Sequence, residues 1–460
     1  MVDSIEAPGP GAHPAVPVRR RRVLVTLCLA VLAAQVDTAV VNLAVRPIGV
    51  YFSARVDTLQ WVVDSYNVVY AALLLSGGLL GDLKGRRRIF LAGAVVLTAA
   101  SLACALAPSL GILIAARATA GLGAALLVPA SLAIIRVVWP EPAGRARALG
   151  IWAACNGLAM ALGPTAGGVV IDSLGWPAVF MVVVPLTAAS VLLALPSLPE
   201  FADAAGRSLD TAAQVAGACG LAALVFATVE AQGRPAAAAV SAVGAVAALA
   251  IFVRIERSRG HAAMVPLDLF SNGTFSGAMT ATAGMTFGMY GVLFLLPLTW
   301  QSTGRLDAAA AGIALMPMAL LFVLVSPLSA RVVRRMGTRL AISSGIALIA
   351  GALPGIGYGA PLGNLVPAEL ALALTGVGMG LATGPLMGVA VGAVTSARAG
   401  TAASLINVAR MVGATTGVAV LGAVYAAAGG GSYGLAAAML AGGAVQAGCA
   451  GIAWFSLPAL

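Results

Sequence analysis

The chain has 460 residues, of which 60% are apolar and 9% charged, against roughly 25% charged residues in a soluble globular protein. Its 26 basic and 16 acidic side chains cannot clothe the surface of a large water-soluble enzyme, and a mean hydropathy of +1.01 points to an all-α, polytopic membrane protein. The net charge of +10 does not indicate a nucleic-acid partner, because the basic residues fall in short clusters between apolar runs and no folded basic domain is left to carry them.

Residues 1–22 are polar, rich in proline and glycine, and end in Arg19, Arg20, Arg21 and Arg22. A cleavable leader would follow them with an apolar core of about 7–15 residues. Residues 23–45 instead form a full-length apolar run, so 1–22 reads as a disordered cytoplasmic tail before a retained first span. A membrane helix needs about 20 apolar residues, and on that criterion the spans fall at 23–45, 61–80, 89–106, 112–135, 148–171 and 178–195. Two more follow at 211–229 and 236–253, and six at 275–298, 308–328, 340–356, 371–391, 401–425 and 434–455. The expectation is fourteen transmembrane helices: a six-helix bundle over 23–196, a linker with two additional helices over 197–260, and a second six-helix bundle over 261–460.

Arginine and lysine placement orients these spans. With the N-terminus inside, cytoplasmic segments carry 20 of the 26 basic residues, while Arg46, Arg55, Arg234 and Arg305 lie outside and Arg117 and Arg410 lie within spans. Both termini are therefore expected in the cytoplasm. The two six-helix blocks have like orientation, and each has an arginine-rich loop after its second helix, at 84–88 and 331–339. Such a repeat is the architecture of secondary transporters, with the substrate site between the halves.

Five cysteines lie in apolar runs with no CxxC spacing, and His13 and His261 lie in a tail and a loop. These give no disulfide framework and no zinc or other metal site. No Walker-type loop or catalytic triad is present. Energy is expected from an ion gradient, with no cofactor and no enzymatic activity.

Polar residues inside the spans carry the chemistry, since ionisable groups at membrane depth are costly and by default functional. Span one holds Gln35, Asp37 and Asn42. Span two begins with Trp61, a candidate interfacial anchor, followed by Asp64, able either to titrate or to sit hydrated at the mouth. Tyr66 and Tyr70, one turn apart, are candidates for stacking on a ligand or for core packing. Gly78, Asp82, Gly85 and Arg86 close that span, with Asp82 placed against the negative end of the helix dipole. Arg117 enters span four level with Asp37. In span five Ala159, Gly163 and Gly167 form a smooth face four residues apart, with Pro164 expected to bend the helix and Gly168 beside it. Asn407 and Arg410 lie in the thirteenth span, ahead of Gly413 and Gly417.

The loop at 78–88 resembles the signature of the major facilitator superfamily: glycine, three residues, aspartate, two residues, glycine, then basic residues. Leu83 stands where the family usually has arginine. Gly163, Pro164, Gly167 and Gly168 resemble the glycine-proline, two residues, glycine-glycine string of the family's antiporters, with Ala159 in place of a glycine. Asp37 to Ala44 is similar to the first-helix signature of fourteen-helix drug:proton antiporters, with Ala39 for its threonine and Arg46 for its proline. Arg117 with Gly121 is similar to the fourth-helix pattern, with Ala120 for a glutamine, and 400–417 resembles the subfamily's late helix. The resemblance covers nearly the whole chain after the tail.

What it implies is a major facilitator fold and export of an amphipathic drug- or antibiotic-like molecule across the cytoplasmic membrane in exchange for protons, by a chain functional as a monomer. Asp37, Arg117 and Asp64 are the expected proton-coupling residues. Gly78, Asp82, Gly85, Arg86, Gly163, Pro164, Gly167 and Gly168 are expected in conformational switching. Gln35, Asn42, Tyr66, Tyr70, Asn407 and Arg410 are the candidates for the substrate cavity. A proton-coupled importer of a metabolite on the same fold is the alternative, followed by a non-transporting receptor or scaffold. The expected partners are the small molecule, protons and the lipid bilayer, with no nucleic acid.

Overall fold

The computed structural model describes residues 20–139, 141–200, 211–230, 234–259, 263, 265, 267–362, 364–394 and 399–457. The tail at 1–19 and the His261 loop position lie outside the described residues, as do the side chains of Asp82, Pro164 and Thr401 and the burial of Gly400. Among the described residues the chain forms fifteen α-helices and no strand. They are α1 (Arg20–Phe52), α2 (Val56–Lys84), α3 (Arg86–Ala105), α4 (Leu110–Val138), α5 (Pro142–Leu174), α6 (Pro177–Ser197), α7 (Thr211–Glu230) and α8 (Pro235–Arg259). The second part of the chain supplies α9 (Gly273–Ser302), α10 (Ala308–Ala314), α11 (Met316–Met336), α12 (Thr338–Gly359), α13 (Val366–Gly392), α14 (Ala399–Ala427) and α15 (Gly431–Ser456).

An all-helical answer follows from the solvent. In hydrocarbon every backbone N–H and C=O must be satisfied within the segment. Eleven described segments are long and apolar enough to cross a membrane, with α10 and α11 forming one of them. The single span expected at 308–328 is thus two helices broken at Leu315. Helix α1 runs seven residues past the expected end at Val45, through Arg46 and Pro47, and α5 starts at Pro142, six before the expected Ala148. Hydrogen bonding continues a helix into water after apolarity stops. Caps then mark real ends: Asn272 accepts from the N–H groups of Thr274 (3.0 Å) and Phe275 (3.3 Å), and Asp307 from Ala310 (2.7 Å). Each such cap is worth about 1 kcal/mol.

Helices α1–α6 pack together, α9–α15 pack together, and the α7–α8 hairpin docks against α2 and α14. Gln214 of α7 donates to the carbonyl of Ala72 and bonds the Ser76 hydroxyl, both on α2. Trp61 is not a bare interfacial anchor: its ring lies 6.3 Å from Phe226 of α7. Helix α8 presents Val240, Val243 and Val246 outward, an apolar face suited to lipid.

Glycine seams repeat between the halves. A Cβ at Gly93 of α3 would fall 2.7 Å from the carbonyl oxygen of Gly123 on α4, and one at Gly345 of α12 would fall 2.7 Å from that of Gly378 on α13. Gly121 meets the backbone of Tyr66 on α2, and Gly376 that of Met318 on α11. Gly163 and Gly167 of α5 lie on Ala39 and Val40 of α1, as Gly413 and Gly417 of α14 lie on Ala283 and Phe287 of α9. In each half, matching small-residue contacts therefore join the third helix to the fourth, the fourth to the second and the fifth to the first, the close approach that van der Waals packing in lipid requires.

Among the described residues, contacts between the halves gather at one end. At the end remote from the arginine-rich loops, one apolar cluster contains Val40, Ile48, Leu113 and Phe180 from the first half and Phe294, Leu298, Ala311 and Met318 from the second. At the arginine-rich end, Val23, Leu27, Phe90, Ile134 and their buried neighbours form a separate cluster, to which the second half adds buried Met411. Hydrogen bonds follow suit. Gln301 Nε2 donates to the Leu43 carbonyl (3.2 Å), Ala309 N–H to Asp172 Oδ2 (2.7 Å) and Thr165 Oγ1 to the Gly312 carbonyl (3.5 Å).

Candidate functional site

Asp37 and Arg117 are brought together from the first and fourth helices. Arg117 Nη1 lies 2.5 Å from Asp37 Oδ2, and the two side chains are 1% and 0% exposed. Nε of Arg117 donates to the Val62 carbonyl at 3.0 Å, and its guanidinium carbon lies 4.6 Å from the centre of the Tyr66 ring and 5.7 Å from that of Phe180. The guanidinium is thereby held on its charge, one carbonyl and two π faces. Oδ1 of Asp37 has no hydrogen-bond partner. Removing one member of a buried pair strands the other charge and costs about 3–5 kcal/mol.

The neighbourhood is held by the glycines of α5. A Cβ at Gly163 would fall 2.8 Å from Ala39 Cβ, and one at Gly167 would fall 2.7 Å from Val40 Cγ1. These two glycines seat the turn of α1 that follows Asp37. Gly168 faces the other way: its Cβ would fall 2.6 Å from Ala309 Cα across the boundary between the halves. One short string thus serves both a seam within one half and a seam between the halves. Helix α5 is continuous through Pro164.

Asp64 is not hydrated at a mouth. It is 0% exposed, and neither carboxyl oxygen has a hydrogen-bond partner. Gln60, Asp64 and Asn67 share one face of α2 at i, i+4 and i+7. Gln60 would collide with a Cβ at Gly422 of α14, which points this face at the other half. Gln60 Oε1, both polar atoms of Asn67 and Thr415 Oγ1 on α14 also lack partners, so a polar stripe is buried unsatisfied along the α2–α14 seam. Beside it Val68, Ala71, Leu221, Leu224, Val225, Val412, Thr415 and Thr416 line a narrow apolar crevice under α7, too tight to hold a water molecule.

The expected cavity residues divide. Tyr66 is buried over Arg117 with its ring centre 5.9 Å from that of Tyr70, so it packs the ion pair. Asn42 is 3% exposed, and its Nδ2 donates within its own helix to Thr38 (3.2 Å). Gln35 and Asn407 are half-buried. Arg410 is half-buried, and it acts electrostatically on the phenols of both Tyr70 and Tyr290. The structure does not bring Arg410 to the Asp37–Arg117 pair.

At the arginine-rich end Gly85 has φ +102°, which favours glycine, and a Cβ there would press on the Glu200 carboxyl carbon at 2.8 Å. Glu200 accepts from the N–H of Arg87 (3.2 Å) and lies 3.8 Å from Arg88 Nε. Its carboxylate sits at the positive end of α3. Arg86 Nη1 reaches the Ala133 carbonyl at 3.5 Å, and Gly78 packs on Pro129 of α4. Glu200, Asp172 and Gln301 are contributors the sequence reading missed. Asp172 alone carried a signal, standing one turn beyond Gly168. Among the described residues, no cluster of three or more His, Cys, Asp or Glu is placed to hold a metal ion.

Comparison with known proteins agrees with this geometry. The chain is 34% identical over 316 residues to the multidrug resistance protein Stp of Mycobacterium tuberculosis, covering 68% of this chain and 59% of that one. It thus spans less than two thirds of that relative's length. It is 33% identical over 335 residues to the methylenomycin A resistance protein of Bacillus subtilis, covering 71% and 72%. In structure it resembles a bacterial homologue of the human lysosomal transporter Spinster, inward-facing and occupied (TM-score 0.68, 16% identity, 97% of each chain). It also resembles a D-xylose-proton symporter (TM-score 0.68, 15% identity, 96% and 98%). The profile of the Major Facilitator Superfamily matches residues 27–418, and the chain, a multi-pass membrane protein, belongs to that family.

Proposed function

We propose that the protein exports an amphipathic drug- or antibiotic-like molecule across the cytoplasmic membrane in exchange for protons, as a fourteen-span monomer with both termini in the cytoplasm. The observation that carries the reading is the pair of fully withdrawn carboxyl groups in one half: Asp37, bound to Arg117 on one oxygen, and Asp64, bound on neither. An unpaired carboxylate cannot be held in hydrocarbon without great cost, and a proton is the partner such a group accepts. Arginine stays charged and tunes the site without carrying the proton. The two relatives reported above, both resistance proteins, support the outward direction.

On this reading the arginine-rich end faces the cytoplasm, and the closed seams at Gly168, Gly422, Asp172 and Gln301 shut the exit to the outside. Rocking of the halves then exposes the α2–α14 stripe to water on one side at a time, and coupling requires proton and cargo to favour different states. Asp82, whose helix end lies beside Gly85, is assigned to switching at the cytoplasmic end.

Efflux from proteoliposomes under an imposed proton gradient tests this. Asp37→Asn should abolish uphill export, and unchanged export would remove Asp37 and leave Asp64 as the coupling group. In everted vesicles, cargo-induced proton release marks export, and proton uptake would mark the importer. For the topology, Arg234→Cys and Arg259→Cys should label from opposite sides; labelling from one side would overturn the fourteen-span count.

A further inference from the structure

Arg410 lies eleven residues after Ala399 on α14, roughly 16 Å along the helix and close to its middle. Tyr70 occupies the middle of α2, and Tyr290 lies just past the middle of α9. Helix α14 packs on both α2 and α9, so the three residues lie near mid-helix where the two halves face each other, within electrostatic range of one another. Nε of Arg410 is buried without a hydrogen-bond partner, and among the described residues no carboxylate forms an ion pair with it.

The carboxylates at this depth are accounted for. Asp37 is held by Arg117, and Asp64 has no partner at either oxygen, so neither serves Arg410. A guanidinium keeps its charge, and an uncompensated charge inside a membrane protein is costly. Tyrosine hydroxyls can accept from it but bring no negative charge. The half-buried guanidinium leaves an exposed part at which a counter-charge can arrive with a bound molecule.

We propose that Arg410, flanked by Tyr70 and Tyr290, is an anion subsite in the transport path, and that the cargo is a weakly acidic amphipath presenting a carboxylate to it. The assignment rests on the export reading above and narrows it: the cargo enters as an anion, its charge met by arginine and its ring system by tyrosine.

Dansyl-phenylalanine and dansyl-phenylalaninamide share one aromatic body and differ in carboxylate against neutral amide. Their binding to the purified full chain, followed by fluorescence at pH 7.5, tests the subsite. The wild type should prefer the carboxylate by about tenfold or more, the size of one charge-assisted contact. Arg410→Gln should collapse the preference to about twofold or less, and Arg410→Lys should keep part of it. Equal binding of the two probes by wild type, or an intact preference in Arg410→Gln, overturns the proposal. Exchange of gluconate for chloride should leave the preference standing; its abolition would assign Arg410 to an inorganic anion and overturn the cargo assignment. Export is read separately by proton exchange driven by dansyl-phenylalanine in proteoliposomes. Exchange without a carboxylate preference sinks the subsite alone, and a preference without exchange sinks export alone.

Discussion

The carboxylate of Asp172 accepts a hydrogen bond from the backbone N–H of Ala309 at 2.7 Å, so the last turn of α5 caps a helix that belongs to the opposite half. Asp307 caps the same helix from its own half through Ala310. The start of α10 therefore has two carboxylate caps, one permanent and one that exists only while this end is shut.

Loss of the second cap should loosen the closed end. Asp172→Ala forfeits about 1 kcal/mol of capping, and the open population should rise about fivefold. In a background freed of native cysteines, the maleimide labelling rate of Gln301→Cys should rise by that factor. An unchanged rate would mean that the cap does not contribute to closure.

Steric blocks should act at the same end. Gly168→Val puts methyl groups where Ala309 Cα already lies 2.6 Å from a Cβ, and Gly422→Leu displaces Gln60. Both variants should fail to close there, losing transport while retaining measurable ligand binding. Distances between spin labels at Tyr51 and Arg305 should lengthen, and native distances in an inactive variant would refute the block.

Arg117→Ala should be worse for the fold than Asp37→Asn. The first strands a buried carboxylate at a cost of about 3–5 kcal/mol, and the second leaves a hydrogen-bonding amide opposite the guanidinium. Thermal unfolding in detergent should rank wild type above Asp37→Asn above Arg117→Ala. The reverse order would mean that the guanidinium left opposite an amide, and not the stranded carboxylate, is the costlier buried charge.

Strong acid should remove one contact at the arginine-rich end. The hydrogen bond from its own backbone N–H, and then Arg20 at 3.2 Å, hold the Glu141 carboxyl below its ordinary value of 4.5. A lowered folded-state pKa contributes stability above the unfolded value and loses it as pH falls through the folded one. The melting-temperature gap between wild type and Glu141→Gln should hold steady above about pH 5.5 and close below 4.5. A gap that persists at pH 3 would remove this carboxyl as its cause.

The sequence revealed what hydropathy and local spacing can encode. Apolar runs located the helix centres, and the small-residue string of span five located the seam at Gly163 and Gly167. Helix ends escaped because Arg46, Pro47 and Arg145 interrupt apolarity without ending hydrogen bonding. Asp172, Glu200 and Gln301 escaped because their partners are backbone groups more than a hundred residues away in the chain. Asp64 stood on a helix that hydropathy places at the membrane entrance; its burial comes from the packing of α2 among its neighbours, which only tertiary structure supplies.

The paired glycine seams, Gly93 on Gly123 and Gly345 on Gly378, place backbone directly on backbone, with no side chain between to yield. Each half is therefore mechanically stiff, and deformation is channelled into the crossings of α2 with α14 and of α5 with α10. Those crossings are related by the same repeat, so the molecule has the mechanics of a hinge with two matched leaves and essentially one degree of freedom. Opening one crossing while the other stays shut would shear both leaves, and the two must travel together.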